Sequence, residues 1–224
     1  MTNERQGWVT RALDPGQRMG EVLFGLIMVL TFTLSAGLSV AEGPEGVRQL
    51  LIAALGCNFA WGIIDGVFYI MGALFERGRL NRLSRAVREA PSEAAATATI
   101  ATELEGTLGS VSTADARRSL YLDIARVVSR SAPAKVRITR ADLVGALASF
   151  WLVVLSTIPA ALPFLIFNDR PRFALRVSNG LLLGMLFLVG HRWGRYTGGS
   201  GWLIGLALTL VGGALVAIAV SLGG

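Results

Sequence analysis

The 224-residue chain has few of the residues that build disulfides and metal clusters. It contains one cysteine, Cys57, and one histidine, His191. A single cysteine excludes an internal disulfide and a cysteine-rich zinc or iron–sulfur site, and a single histidine excludes metal enzymes with histidine clusters or an H-E-x-x-H motif. The sequence also lacks P-loop, G-x-G-x-x-G and G-x-S-x-G motifs. We therefore expect that the protein is not an enzyme.

Charged residues are scarce as well. They make up 16% of the chain, against about a quarter in ordinary globular proteins. Hydrophobic residues make up 53%, the mean hydropathy is +0.57, and there are 27 glycines, a residue that is common in membrane helices because it lets backbones approach closely. This balance predicts a polytopic membrane protein.

Five apolar segments have the length of about 20 residues that a membrane span requires. They cover residues 22–41, 50–74, 143–167, 173–193 and 202–222. The apolar runs are unbroken, which favours helices over a β-barrel. The first run ends in a sequence that resembles a signal-peptidase site, but it is longer than a typical signal peptide core. We predict an all-α protein with an N-terminal segment (1–21), spans one and two (22–74), a polar helical insert (75–142) and spans three to five (143–224).

The basic residues predict the orientation. With the N-terminus in the cytoplasm, 17 of the 21 lysines and arginines lie on the cytoplasmic side, as the positive-inside rule requires. The insert is then cytoplasmic, and the C-terminus lies outside. Twenty arginines against one lysine, in an alanine-rich chain, are typical of a GC-rich bacterium, so we expect the inner (plasma) membrane.

The polar insert is predicted to hold three helical stretches. Residues 76–88 continue span two as an amphipathic helix with five arginines, which favours contact with anionic lipid of the inner leaflet and not with nucleic acid. A second helix covers Ser92 to Leu108. A third begins at the capping box Ser112-x-x-Asp115 and ends at Pro133.

Asp65 is the one ionisable residue deep inside a predicted span. Asn58 lies seven residues before it and Tyr69 four after it, so the three side chains share one helical stripe. Gly62 and Gly66 flank Asp65 as a G-x-x-x-G, which favours close helix packing. Span one offers a small polar face as well, formed by Met28, Thr31 and Ser35. We predict that these residues line a transport pathway, with Asp65 and Met28 as candidate metal ligands.

Two interpretations of Asp65 stay open at this point. It is either the titrating group of a cation or proton pathway, or it pairs with a neighbour, such as His191 or an arginine, and merely holds the bundle together. Glu21, at the inner mouth of span one, is expected to be solvated. In span three, Pro159 and Pro163 each remove a backbone donor and predict a kink, which is either part of a carrier's motion or static.

The layout resembles the vacuolar iron transporter family of iron/manganese carriers. The resemblance is carried by the five spans with a helical insert, by the stretch from Gly145 to Phe150 that leads into the Pro-x-x-x-Pro of span three, by residues 186–195, and by a glycine-rich last span. It implies a homodimer, without a permanently bound cofactor, that moves Fe²⁺ or Mn²⁺ out of the cytosol, coupled to protons. Met28 stands where the family carries an aspartate in span one.

Two functions follow as hypotheses. The first is transport of a divalent metal cation with Asp65 as the charged site inside the membrane. The second is a non-transporting scaffold, assembly or regulatory subunit on the same fold, whose basic cytoplasmic helices contact lipid or a partner.

Overall fold

The computed structural model describes residues 7–35, 44–131 and 135–221, and it contains only helices in these ranges. The helices are α1 (Trp8–Ala12), α2 (Pro15–Ser35), α3 (Pro44–Arg88), α4 (Glu93–Leu108), α5 (Ala114–Arg130), α6 (Arg140–Leu155), α7 (Ile158–Ile166), α8 (Pro171–Tyr196) and α9 (Gly201–Ser221). The predicted all-α class is therefore confirmed for the described part of the chain.

Three helical stretches of the described residues are long and apolar enough to cross a membrane. They are α3, the run Arg140–Ile166 that comprises α6 and α7, and α8. In α9 a shorter apolar stretch covers Gly201–Leu215. The protein is thus membrane-embedded by length and composition, whereas five spans stay a prediction. The last part of the predicted first span, residues 36–41, lies outside the described residues.

The start of α2 is set by a reciprocal cap. The backbone N–H of Gln17 donates to Asp14 Oδ1 at 2.9 Å, and the N–H of Asp14 donates to Gln17 Oε1 at 3.2 Å, which is a capping-box arrangement. Pro15 follows the cap, where its missing N–H is harmless. The helix therefore begins seven residues before the predicted span, and Glu21 lies within it.

The chain divides into two compact units. The first comprises Met1–Tyr69 and Arg140–Gly224, and the second comprises Ile70–Thr139. In the first unit α2 packs against α6, α8 and α9. Its core is aliphatic, with Leu26 and Leu30 of α2 against Ala160 of α7 and Leu182 and Leu186 of α8.

Glycines set the spacing between α8 and α9. A side chain at Gly190 would come within 2.9 Å of the Cα of Gly205, and one at Gly194 within 2.7 Å of the Cα of Gly201. Small residues at such crossings let two membrane helices meet backbone to backbone. These two positions therefore hold α9 against α8.

The predicted third span consists of two helices. Helix α6 ends at Leu155 and α7 begins at Ile158, with a turn at Ser156 and Thr157 between them. Pro159 lies in the first turn of α7, where no N–H is needed, and Pro163 lies inside α7. The chain thus changes helix just before the first proline.

The second unit is built from the end of α3 together with α4 and α5. Val87, Ala96, Ile100, Tyr121 and Ala125 form its buried core. The predicted continuation of α3 as one helix as far as Arg88 is confirmed. So is the start of α4 at Ser92, whose Oγ accepts from the N–H of Ala95 at 3.2 Å.

The predicted cap of α5 is wrong by one residue. Thr113, and not Ser112, caps the helix, since Thr113 Oγ1 accepts from the N–H of Ala116 at 3.4 Å. The Ser112 hydroxyl donates instead to the carbonyl of Leu108 at 2.7 Å, the end of α4. Helix α5 ends at Arg130, and Pro133 lies outside the described residues.

Candidate functional site

The polar stripe on α3 is positioned by close packing against α6. A side chain at Gly62 would lie 3.0 Å from the carbonyl oxygen of Phe150, and one at Gly66 would lie 3.1 Å from the carbonyl oxygen of Ala146. Asp65 lies between these two glycines in sequence. The small residues of the G-x-x-x-G therefore bring the backbone of α3 close to α6, as predicted from their spacing.

Asp65 faces a second carboxyl group. The side chain of Glu21, on α2, lies within hydrogen-bonding reach of Asp65, and both side chains are half-buried. We call these two residues the carboxyl pair. Asp65 Oδ2 is buried and has no hydrogen-bond donor among the described residues.

The electrostatics of the carboxyl pair favour a positive charge between its members. Two ionised carboxylates are acceptors only, and at about 4 Å they repel each other by roughly 4 kcal/mol near a protein surface. Their approach is favourable when a proton or a cation lies between them. The pair is therefore suited to binding and releasing a small cation.

Ser149 of α6 completes this cluster. Its hydroxyl donates to Glu21 Oε1, and the residue is fully buried. Carboxylate and hydroxyl oxygens from α2, α3 and α6 thus meet at one level of the first unit. Oxygen ligands of this kind suit hard divalent cations and Mn²⁺.

Asn58 links the same three helices at a point seven residues, or about two turns of α3, before Asp65. The side chain is buried, and its Nδ2 donates to the carbonyl oxygens of Gly25 at 3.4 Å and Val153 at 3.2 Å. These carbonyls belong to α2 and α6. Because the Asn58 amide donors are directed to backbone acceptors, the residue fixes the separation of the helices around the carboxyl pair.

Tyr69 lies at the opposite end of the predicted stripe. Its hydroxyl donates to the carbonyl of Ala12 at 3.2 Å, and its ring fills the space beside Gly145 of α6. Tyr69 therefore ties the N-terminal segment to α3 and α6.

The predicted residues of span one are less closely associated with Asp65. Met28 is half-buried and lies seven residues, or about 10 Å of helix rise, beyond Glu21. The hydroxyl of Thr31 donates to the carbonyls of Ile27 at 2.5 Å and Met28 at 3.3 Å, both in its own helix. Ser35 is the last residue of α2, and its side chain lies outside the described part of the structure.

Glu21 was expected to be solvated, and the structure corrects this. It is half-buried and accepts the Ser149 hydroxyl. The sequence signal that could have indicated this position of Glu21 is the Asp14-Pro15-Gly16-Gln17 cap. A helix that starts there already includes Glu21 when it enters the helix bundle.

His191 does not pair with Asp65 in the described structure. It lies among aromatic rings, with its centroid 6.1 Å from that of Phe187 and 5.7 Å from that of Trp202. No lysine or arginine of the described residues forms an ion pair with Asp65 either. Among the described residues, the neighbour of Asp65 is therefore a second acid, Glu21, and neither His191 nor an arginine.

A metal cage of three or more acid, cysteine or histidine side chains is not found among the described residues. No protein-family model matches the chain, and no curated protein matches its sequence. The resemblance to the vacuolar iron transporter family stays a prediction based on the sequence features given above.

Proposed function

We propose that the protein is a membrane transporter of a divalent metal cation, Fe²⁺ or Mn²⁺, that exports the cation from the cytosol in exchange for protons. The observation that carries this proposal is the carboxyl pair, Glu21 and Asp65, with the Ser149 hydroxyl beside it. A charged carboxyl group inside a membrane protein costs free energy. Such groups are therefore found where they move ions or where a partner neutralises them. Here the neighbour is a second acid.

The exchange follows from charge balance. When the cation binds, both carboxyls are ionised, and the proton held between them leaves. When a proton returns, the negative charge on the carboxyl pair decreases, and the cation is released. Proton and cation thus compete for the same oxygens, which couples their movement in opposite directions.

The proposed topology has five spans, with α2, α3, the α6–α7 run, α8 and α9 crossing the membrane and residues 70–139 in the cytoplasm. Its support is the arginine distribution together with one contact. The start of α2 and the end of α8 line the same cavity, so these two ends lie on the same side of the membrane. A homodimer is implied by the family resemblance alone.

The test is uptake of Fe²⁺ and Mn²⁺ into proteoliposomes, with and without a pH gradient, for the natural protein and for Asp65→Asn and Glu21→Gln. We expect each substitution to abolish uptake, because each removes one of two charges that hold the cation. Glu45→Gln is the matched control, since Glu45 is an exposed acid of α3 that pairs with Arg48, and it should transport normally.

Normal uptake by Asp65→Asn would contradict the proposal. Uptake of neither ion by folded natural protein would favour the second hypothesis, a non-transporting scaffold or regulatory subunit.

A further inference from the structure

A basic cavity lies between the start of α2 and the end of α8. Its volume is about 540 Å³, and its lining includes Arg18, Arg192 and Tyr196 together with apolar side chains such as Val22 and Leu188. We propose that this cavity binds an anionic phospholipid, with the headgroup phosphate held by Arg18 and Arg192 and an acyl chain lying along the apolar wall.

The charges of the cavity complement a phosphate. Among the described residues that line it, none is acidic, and neither Arg18 nor Arg192 forms an ion pair within the described part of the chain. Guanidinium groups bind phosphate oxygens through paired, charge-assisted hydrogen bonds. Two arginines that face one cavity without a carboxylate therefore favour an anionic ligand.

The position of the cavity along α8 matches a membrane surface. Arg172 and Arg192 are twenty residues apart on α8, which corresponds to about 30 Å, the thickness of the hydrocarbon core. Arg192 thus lies at the headgroup level when α8 spans the membrane. Tyr196, one turn further, is exposed and is of the residue type that is enriched at this interface.

The apolar wall distinguishes a lipid from a free anion. Val22, Leu188 and Val189 line the cavity as well, and in sequence they lie three or four residues from the arginines, toward the middle of α2 and of α8. Leu188 is 64% exposed. A free phosphate gains nothing from such side chains, whereas an acyl chain buries against them. Lipid binding in this cavity depends on the placement of α8 in a membrane and is independent of the proposed transport.

The test is native mass spectrometry of the purified protein titrated with phosphatidylglycerol, phosphatidylcholine or glycerol 3-phosphate. We expect phosphatidylglycerol to bind in preference to the other two. The double variant Arg18→Gln/Arg192→Gln should need at least about tenfold more phosphatidylglycerol for the same occupancy. Arg18→Lys/Arg192→Lys keeps the charge and should retain the preference.

Two further variants separate the cavity from general surface charge and from misfolding. Arg172→Gln removes an exposed arginine at the other end of α8 and should bind lipid normally. Leu188→Trp keeps both arginines but fills part of the cavity, and it should weaken the binding of phosphatidylglycerol. Unchanged affinity in the double glutamine variant, equal binding of phosphatidylcholine, or equally tight binding of glycerol 3-phosphate would overturn the proposal. Because no ion flux is measured, a failure of transport leaves this result unaffected.

Discussion

Single side chains determine whether the carboxyl pair can hold a cation. Ser149 donates to Glu21, while Asp65 Oδ2 has no donor among the described residues. Glu21 is thus held in place from α6, and the free oxygen of Asp65 is the more available ligand. The two acids therefore have different parts in the proposed site, one oriented by a neighbour and the other open to the ion.

Ser149→Ala tests the orienting role. Loss of the hydroxyl leaves Glu21 free to adopt other rotamers, and a net hydrogen bond of this kind is worth about 1 kcal/mol. We expect the KM for Mn²⁺ uptake to rise about fivefold with little change in the maximal rate. Ser129→Ala is the control, because the Ser129 hydroxyl donates to the Ala125 carbonyl of its own helix, α5. An unchanged KM in Ser149→Ala would contradict the assignment.

The sequence identified Asp65 but missed its partner, for a physical reason. An acid inside an apolar run can be identified from the sequence alone, and so can the G-x-x-x-G around it. The position of Glu21 opposite Asp65, in contrast, depends on how α2 and α3 pack and on where α2 begins. The apolar run alone placed that beginning one to two turns too late, because helix propensity extends beyond the apolar residues to the cap at Asp14.

At the level of helices, close backbone contact between α3 and α6 sets the site. The apolar runs predicted these helices well, since a long apolar run has few other structures in a membrane. Pro159 and Pro163 predicted a kink in span three, and the structure has a turn at Ser156 and Thr157, just before Pro159. The position of this turn was not predicted, because Ser156 and Thr157 are compatible with a continuous helix.

Gly62→Leu tests the contact between α3 and α6. The new side chain would meet the Phe150 carbonyl at 3.0 Å, and backbone cannot move aside cheaply, so overpacking of this kind costs about 1–3 kcal/mol. We expect a lower Tm in detergent. Gly72→Leu, on the same helix but with open space around it, should leave the Tm unchanged. Equal Tm values for the two variants would show that the contact is unimportant.

The second unit carries charge pairs that depend on pH. Arg126 donates a hydrogen bond to Glu93, which lowers the pKa of Glu93 below its usual value of 4.5. A lowered pKa in the folded state contributes stability above the unfolded pKa, and this contribution is lost as the pH falls through the folded value. Since both side chains are about half exposed, the effect is small.

Glu93→Gln tests this pair. The natural protein should lose stability more steeply than the variant as the pH falls below the usual glutamate pKa of 4.5, because only the natural protein must protonate a paired carboxylate. Urea unfolding followed by circular dichroism at several pH values measures the difference. Parallel pH profiles for the two proteins would contradict the contribution of this pair.

The arginines that continue α3 are partly used within the second unit. Arg79 pairs with Glu76 and Glu103, and Arg77 and Arg88 donate to backbone carbonyls. Arg82 and Arg85 are exposed. The predicted contact of this helix with anionic lipid therefore depends on a smaller set of arginines than the sequence suggested.

At the scale of the whole molecule, the first unit contains apolar helices and the carboxyl pair, and the second unit is helical with paired surface charges. Composition was enough to predict the membrane class and the helical insert, because both depend on residue counts and periodicity. The proposed transport depends on the carboxyl pair, which in this proposal holds either a proton or a cation.

The most direct test is proton movement driven by Mn²⁺ in proteoliposomes that contain a pH-sensitive dye. We expect Mn²⁺ entry to drive protons out of the lumen of vesicles with the natural protein, and we expect no such change in vesicles with Asp65→Asn or Glu21→Gln. A proton flux that persists in either variant, or Mn²⁺ entry without any proton flux in the natural protein, would contradict the proposed exchange.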